Sequence, residues 1–318
     1  MSRRRYEVGQ EITPGYRVFS MFHGFLGVVY IGCKEQHPDE PRKFIAVKTF
    51  RHGDQLSRGL FDAELENWVR LPGHPNVVRA LGADRKRNLL ILEFVPGPSL
   101  QKIAHRRPVH PRHFLRWAGA TAAGLRFLHE ENHFVHRDLR PANILVDTDD
   151  GLCAKISDMG IGKPLDPEAR QHTVIGTFTY MAPEVFDGRT DYRSDIFSFG
   201  ATIYYLLTGM DAIKLTTQHM TRVATPEIPG VPRAVSSLVL RCLERQPEAR
   251  FPSMNDVVEA IAAIDDWRPP SDWYRHCEEH DYDYRVESRD DVCPFCAHHR
   301  EFEKRLALFQ RACRDTEK

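Results

Sequence analysis

No stretch of this sequence stays apolar long enough to cross a bilayer. The longest, such as residues 197–207, is interrupted by serine, glycine and threonine, whereas a spanning helix needs about 20 consecutive apolar residues. Neither sign of charge prevails: 44 lysines and arginines balance 44 aspartates and glutamates. No global field therefore draws the chain to nucleic acid or to an anionic membrane. Cysteine is scarce, with 7 in 318 residues, and no apolar run follows the opening Met1-Ser2-Arg3-Arg4-Arg5-Tyr6. That usage argues against a disulfide framework and leads us to expect a soluble, cytoplasmic protein. What is present is ordinary globular material, 42% hydrophobic, enough for a sizeable core and about two domains.

The densest chemistry is His136-Arg137-Asp138-Leu139-Arg140-Pro141-Ala142-Asn143, which runs into the strand-like Ile144-Leu145-Val146. A strand pins the far end of such a loop. Asp138 can then meet a hydroxyl proton, Asn143 a metal and Arg140 anionic oxygens. Upstream, residues 16–33 read as a strand, a turn containing Gly24 and Gly27, and a second strand. Glycines in such a hairpin let backbone N–H groups approach phosphate with no Cβ in the way. Residues 44–50 form an apolar strand whose only charge is Lys48, and residues 59–71 carry a helical stripe of Leu60, Phe61, Leu65 and Trp68 ended by Pro72-Gly73. Residues 74–78 and 89–95 read as two more strands, the second closing on Pro96-Gly97-Pro98. Helices are expected over residues 112–131, 194–207, 232–244 and 253–264. Asp158 follows the strand-like Ala154-Lys155-Ile156.

The loop resembles the catalytic loop H-R-D-x-x-x-x-N of the eukaryotic-type serine/threonine protein kinases, and the other segments follow in that family's order. Ala46-Val47-Lys48 matches the V-A-I-K strand, Asp158-Met159-Gly160 the D-F-G motif, and Gly176-Thr177-Phe178-Thr179-Tyr180-Met181-Ala182-Pro183-Glu184 the end of a serine/threonine-style activation segment. The resemblance covers residues 12–264. It implies an α+β, bilobal kinase fold over residues 12–265, with a small β-rich N-lobe of about 12–95 and a larger helical C-lobe of about 96–265.

The resemblance also assigns roles. Asp138 would accept the hydroxyl proton, Arg140 stand near the γ-phosphate, and Asn143 and Asp158 hold Mg2+ or Mn2+. Lys48, paired with Glu64, would grip the α- and β-phosphates of ATP, with Glu66 the alternative partner facing away. Gly24, Gly27, Val29, Ala46, Leu145 and the backbone of Glu93 and Val95 would complete the cofactor-binding set, and Leu92 would guard the back of the nucleotide pocket. Thr173 is a candidate phosphosite that Arg137 could pair with. Asp195, as a buried brace of the catalytic-loop backbone, and Arg250, as partner of Glu184, would be structural; a plain N-cap at Ser194 or Asp195 is the alternative. Three positions depart from the pattern: Phe22 where the first loop glycine belongs, Arg140 where serine/threonine kinases carry lysine, and Met159 for phenylalanine. A pseudokinase scaffold acting through its tail is the alternative function.

Composition shifts at Trp267-Arg268-Pro269-Pro270, and residues 266–318 form a separate tail. Cys277, His280, Cys293 and Cys296 make a C-x2-H and C-x2-C set able to give zinc four ligands, in a zinc-ribbon-like module, with His276, His298 and His299 competing for the fourth place. Phe302, Leu306, Phe309 and Cys313 draw an apolar stripe on a charged helix, to be packed on the kinase or on a protein partner. Protein substrates are expected; nucleic acid and a membrane span are not.

Overall fold

The structure is a computed structural model that describes residues 6–23, 27–34, 43–50, 65–66, 68–105, 108–159, 179–211, 231–265, 274–286 and 291–316. The chain divides into two compact units: Met1–Gly73 with Val78–Pro96 and Ala297–Lys318, and His74–Val77 with Gly97–Cys296.

The first unit is built on a sheet of β1 (Glu11–Thr13), β2 (Tyr16–His23), β3 (Gly27–Lys34), β4 (Phe44–Phe50), β5 (Ala80–Asp84) and β6 (Leu89–Glu93). Its order is β1-β2-β3-β4-β6-β5, and every neighbouring pair is antiparallel. Side chains alternate between faces along a strand, and here both faces are covered. Ile12, Val18, Tyr30, Ile45, Val47 and Leu89 form the core on one side. Phe19, Ile31, Cys33 and Phe44 form another, closed by Phe309 from the C-terminal helix. Burial on both sides explains why β4 reads as a continuous apolar run. Residues 65–66 and 68–70 are helical, and Trp68 donates its indole N–H to the Val78 carbonyl at 2.7 Å.

Residues 74–78 are a turn rather than a strand, and the strand lies further on, at β5. Pro75 lacks a ladder donor. Asn76 takes its own N–H to His74 Nδ1 and its side-chain amide to the Ala154 carbonyl, the turn-forming habit of asparagine.

The second unit holds α1 (Leu100–Ile103), α2 (Pro111–Arg126), the hairpin β7 (Ile144–Asp147) and β8 (Cys153–Ile156), then α3 (Tyr192–Thr208), α4 (Arg233–Cys242) and α5 (Met254–Ala262). α2 ends in a wide turn over Phe127–Glu131. α3 is buried from Ser194 through Leu207. Its N-cap is Asp191, in a capping box with Ser194. Asp195 is not the cap, because it lies inside the helix and is turned into the core. Gly200 is required in α3, since a Cβ there would stand 2.6 Å from Cβ of Cys242 on α4.

An ion pair ties residues 182–184 to the end of the unit. Arg250 grips both carboxylate oxygens of Glu184, at 2.7 and 2.8 Å, and Ser194 Oγ donates to the same carboxylate at 2.9 Å. Arg250 is 1% exposed and Glu184 5%. Burial alone would raise the Glu184 pKa, but the bonds from Arg250 hold it below the usual carboxylate range.

The tail forms the hairpin β9 (Tyr274–Cys277) and β10 (Tyr282–Arg285), then α6 (Pro294–Thr316). In the second unit Tyr282 stacks on Trp117 at 5.8 Å and meets Phe295 edge-on at 5.0 Å. The Asp283 N–H donates to His113 Nε2. Burial, reinforced by Arg112, pushes His113 down to about 4, so it takes that bond as a neutral ring although the Asp283 carboxylate is 3.5 Å away. The stripe Phe302, Leu306 and Phe309 packs within the first unit, on its own chain.

Replacing Arg250 by methionine leaves the Glu184 carboxylate buried without its counter-ion. Urea unfolding should show a loss of about 3–5 kcal/mol; a loss below about 1 kcal/mol, the scale of an exposed pair, would mean the pair is not buried in solution.

Candidate active site and metal centre

Asp195 sets the geometry of the central loop. Its carboxylate accepts three bonds: the main-chain N–H of His136 at 2.6 Å, that of Arg137 at 2.8 Å, and His129 Nε2 at 2.8 Å. Full burial would raise its pKa, yet the bonds from His129 and from the His136 N–H lower it. The carboxylate is thus ionised and fully coordinated. It holds Arg137 at φ +66°, a left-handed conformation that a non-glycine residue keeps only when its surroundings impose it. His136 is wholly buried, and its Nε2 meets the Ser157 carbonyl at 3.1 Å.

That brace brings the loop's acid and amide together. Asn143 donates through Nδ2 to the Asp138 carbonyl at 2.8 Å and to Asp138 Oδ2 at 3.1 Å. The Asn143 carbonyl receives both the N–H of Ser157 at 2.8 Å and its Oγ–H at 3.0 Å, which ties the loop's end to the segment entering Asp158. Asp158 sits at φ +62°, and Met159 beside it is fully buried. Met159 thus packs as the apolar residue at that place must. Arg140 lies with its guanidinium 6.0 Å from the centre of the Tyr180 ring, at the outer range of cation–π contact. Leu145 is on β7 beside the loop.

In the sheet unit, Lys48 is on β4, 9% exposed, paired across to Val29 on β3 and to Leu90 on β6. Ala46 stands two residues earlier on the same face. Phe22 pairs directly with Val29 across β2 and β3, one residue before the end of β2. Glu93 ends β6, with its N–H on the Arg79 carbonyl at 3.0 Å, and Val95 just beyond is buried. Glu66 lies towards Arg85 and Arg70 on an exposed face. Gly24, Glu64 and Thr173 lie outside the described residues.

The tail brings four metal-ligating atoms together. Cys277, His280, Cys293 and Cys296 converge within 4.8 Å of one another. Cys277 Sγ is 3.5 Å from Cys296 Sγ and 3.6 Å from His280 Nδ1, and Cys296 Sγ is 3.5 Å from that nitrogen. Zinc bonds of about 2.3 Å to sulfur and 2.0–2.1 Å to nitrogen in a tetrahedron place neighbouring ligands about 3.5–3.8 Å apart. A disulfide needs about 2.05 Å, so the sulfurs are not bonded to each other. The competing histidines are engaged elsewhere: His276 on Asp283 at 3.0 Å, His298 on the Pro96 carbonyl at 3.0 Å and His299 on Glu303 at 3.2 Å. His129, the third ligand of the Asp195 carboxylate, was missed in the sequence. It lies in no motif, and only its place within the helical segment 112–131, four residues after Leu125, could have drawn notice.

An antiparallel sheet that buries Lys48, the one buried lysine among the described residues, and a helical unit whose loop is braced from within are the parts expected of a protein kinase fold. The chain belongs to the protein kinase family: the family described as "Protein kinase domain" matches residues 22–260. It is 33% identical over 291 residues to the serine/threonine-protein kinase PBL34 of Arabidopsis thaliana, covering 79% of this chain and 58% of that protein. It is 30% identical over 240 residues to a probable serine/threonine-protein kinase of Clostridium acetobutylicum, covering 70% of this chain and 36% of the relative. The chain thus spans little more than half, or less, of the length of these relatives. The solved kinase domain of Mycobacterium tuberculosis PknI shares the fold, with a TM-score of 0.63 at 21% identity over 81% of this chain and 99% of that one. No helix among the described residues is long and apolar enough to cross a membrane.

Because the folded Asp195 carboxyl titrates below its unfolded value, its stabilising contribution is full above the ordinary carboxylate pKa and is lost as pH falls through the folded one. The stability gap between the native protein and Asp195→Asn should therefore shrink as pH is lowered from about 5 to below about 3. Urea titrations at each pH read this, and a gap constant across that window would contradict it.

Proposed function

We propose that the chain transfers the γ-phosphoryl group of ATP to serine or threonine hydroxyls of protein substrates. The observation that supports this most is the contact between Asp138 and Asn143 on a loop whose backbone Asp195 fixes. In such a transfer the substrate hydroxyl oxygen bonds to the γ-phosphorus as the bond to the leaving diphosphate oxygen breaks. Asp138 orients the hydroxyl and takes its proton, and holding the groups in line supplies most of the acceleration. With Asn143 Nδ2 donating to Asp138, its Oδ1 is the atom suited to a divalent cation, and Asp158 adds a carboxylate. Bound Mg2+ would neutralise charge on the phosphate oxygens. Lys48, with Glu64, holds the α- and β-phosphates. Gly24, Gly27, Val29, Ala46, Leu145, Glu93 and Val95 receive the nucleotide, and Arg140 adds a planar cation near the γ-phosphate. Autophosphorylation at Thr173 would create an anion for Arg137. We read residues 12–265 as the kinase domain and 266–318 as a tail stapled by zinc on Cys277, His280, Cys293 and Cys296, in a cytoplasmic protein. A protein partner of the tail would use the helix face opposite the stripe, where Leu308 is 63% exposed. The scaffold alternative calls for a missing catalytic group, and Lys48, Asp138, Asn143 and Asp158 are all in the sequence.

Labelled ATP with Mg2+ should mark the protein or a generic protein substrate at serine and threonine, and Asp138→Asn should lose at least about 10²-fold of that rate. Absence of label on the unaltered chain would leave the scaffold reading. Metal analysis should return about one zinc per chain, lost on Cys293→Ser, and less than about half an equivalent would refute the four-ligand site.

A further inference from the structure

The tail lies beyond the residues matched to the kinase family, yet its helix is part of the sheet unit. Residues two apart on a strand share a face, as do residues paired across strands. One face of the sheet thus carries Phe22, Val29, Ile31 and Cys33 along with Phe44, Ala46 and Lys48. This is the face that bears the proposed nucleotide-binding residues.

α6 lies on this face through Phe309, Phe302 and Arg305, and its start is fixed just past the sheet through His298. Phe309, 3% exposed, joins the cluster of Phe19, Ile31, Cys33 and Phe44, against which Val29, Ala46 and Phe94 also pack. The Phe302 ring is 5.1 Å from Phe19, 5.3 Å from Phe44 and 6.0 Å from Phe94. The Arg305 guanidinium covers the Phe22 ring at 5.3 Å, at the strand end leading into the glycine turn. His298 Nε2 meets the Pro96 carbonyl at 3.0 Å, just past β6. Val29 and Ala46 remain only half-buried beside the helix. α6 therefore flanks the nucleotide side of the sheet and does not seal it.

We propose that α6 is a built-in wall of this unit's nucleotide-binding face, and that Phe302, Phe309 and Arg305 are positioning residues that set affinity for the adenine nucleotide. The inference rests on the kinase reading of Val29, Ala46 and Lys48. Aromatic packing from Phe302 and Phe309 fixes the side chains of Phe19 and Phe44, and through them the seats of Val29 and Ala46. Arg305 holds Phe22 at the strand end that starts the turn. A tail so placed makes ATP affinity a property of the whole chain.

The test uses the full chain with Phe302→Ala, Phe309→Ala and Arg305→Ala, and with Leu308→Ala on the exposed face as control. KM for ATP and the Kd of a fluorescent ATP analogue should rise about threefold to tenfold in the first three, with kcat at saturating ATP within about twofold. Leu308→Ala should change neither. Unchanged KM and Kd in folded Phe302→Ala and Arg305→Ala would overturn the proposal by making the helix a mere cover of the sheet. A lowered KM would overturn it by making the helix a plug. Should Phe309→Ala not fold, the two half-buried positions Phe302 and Arg305 decide alone. No binding of the analogue to the unaltered protein would remove the kinase reading and this inference with it, a result distinct from equal binding by all variants.

Discussion

The Asp195 carboxylate is the constraint on which the rest of the candidate site hangs. It is an ion in a place without water, and it keeps its charge because two consecutive main-chain N–H groups and one imidazole point at it. An unpaired buried carboxylate would cost several kcal/mol, so the loop backbone has little choice but to present those N–H groups. The left-handed turn at Arg137 follows from that demand, and the placing of Asp138 follows from the turn. The charge lives on a helix buried nearly all round, so the loop inherits the rigidity of α3. A flexible loop could present an acid and an amide, but it could not hold them at hydrogen-bond distance before substrate arrives.

The same economy appears elsewhere. Glu184 and Arg250 satisfy each other at the same N-terminal end of α3, where Ser194 Oγ donates to Glu184 and Arg250 donates to the Arg193 carbonyl, so one helix end organises both the loop and the 182–184 turn. The sheet unit uses apolar packing instead. Lys48 is fixed by its register between β3 and β6, and both faces of the strand that carries it are covered. The tail contributes to both units separately. Tyr282 and Phe295 pack on Trp117 in one, and the stripe of α6 closes the sheet core in the other.

Much of this was legible in the residues. β2, β3, β4 and β6, the helices α2 to α5, and the loop with its following hairpin stand where alternation and periodicity put them. The metal set emerged from spacing alone, because a C-x2-C pair can hardly fail to present two sulfurs together. The misreadings have local causes. Residues 74–78 are apolar enough for a strand, but Pro75 and the Asn76 side chain take the backbone elsewhere. The N-cap alternative for Ser194 or Asp195 gives way to Asp191, because the Asp195 carboxylate is buried under the His136 and Arg137 amides, the bracing place that the resemblance implied. The choice among tail histidines, and the surface that receives the stripe of α6, depend on contacts between segments far apart in sequence, and no periodicity carries those.

Amide hydrogen exchange at His136 and Arg137 tests the central claim most directly. If the Asp195 carboxylate braces the loop, both amides should exchange only through global unfolding in the native protein, and in Asp195→Asn they should exchange faster relative to the amides of α3. Rapid exchange of both amides in the native protein, at the rate of exposed loop residues, would contradict it.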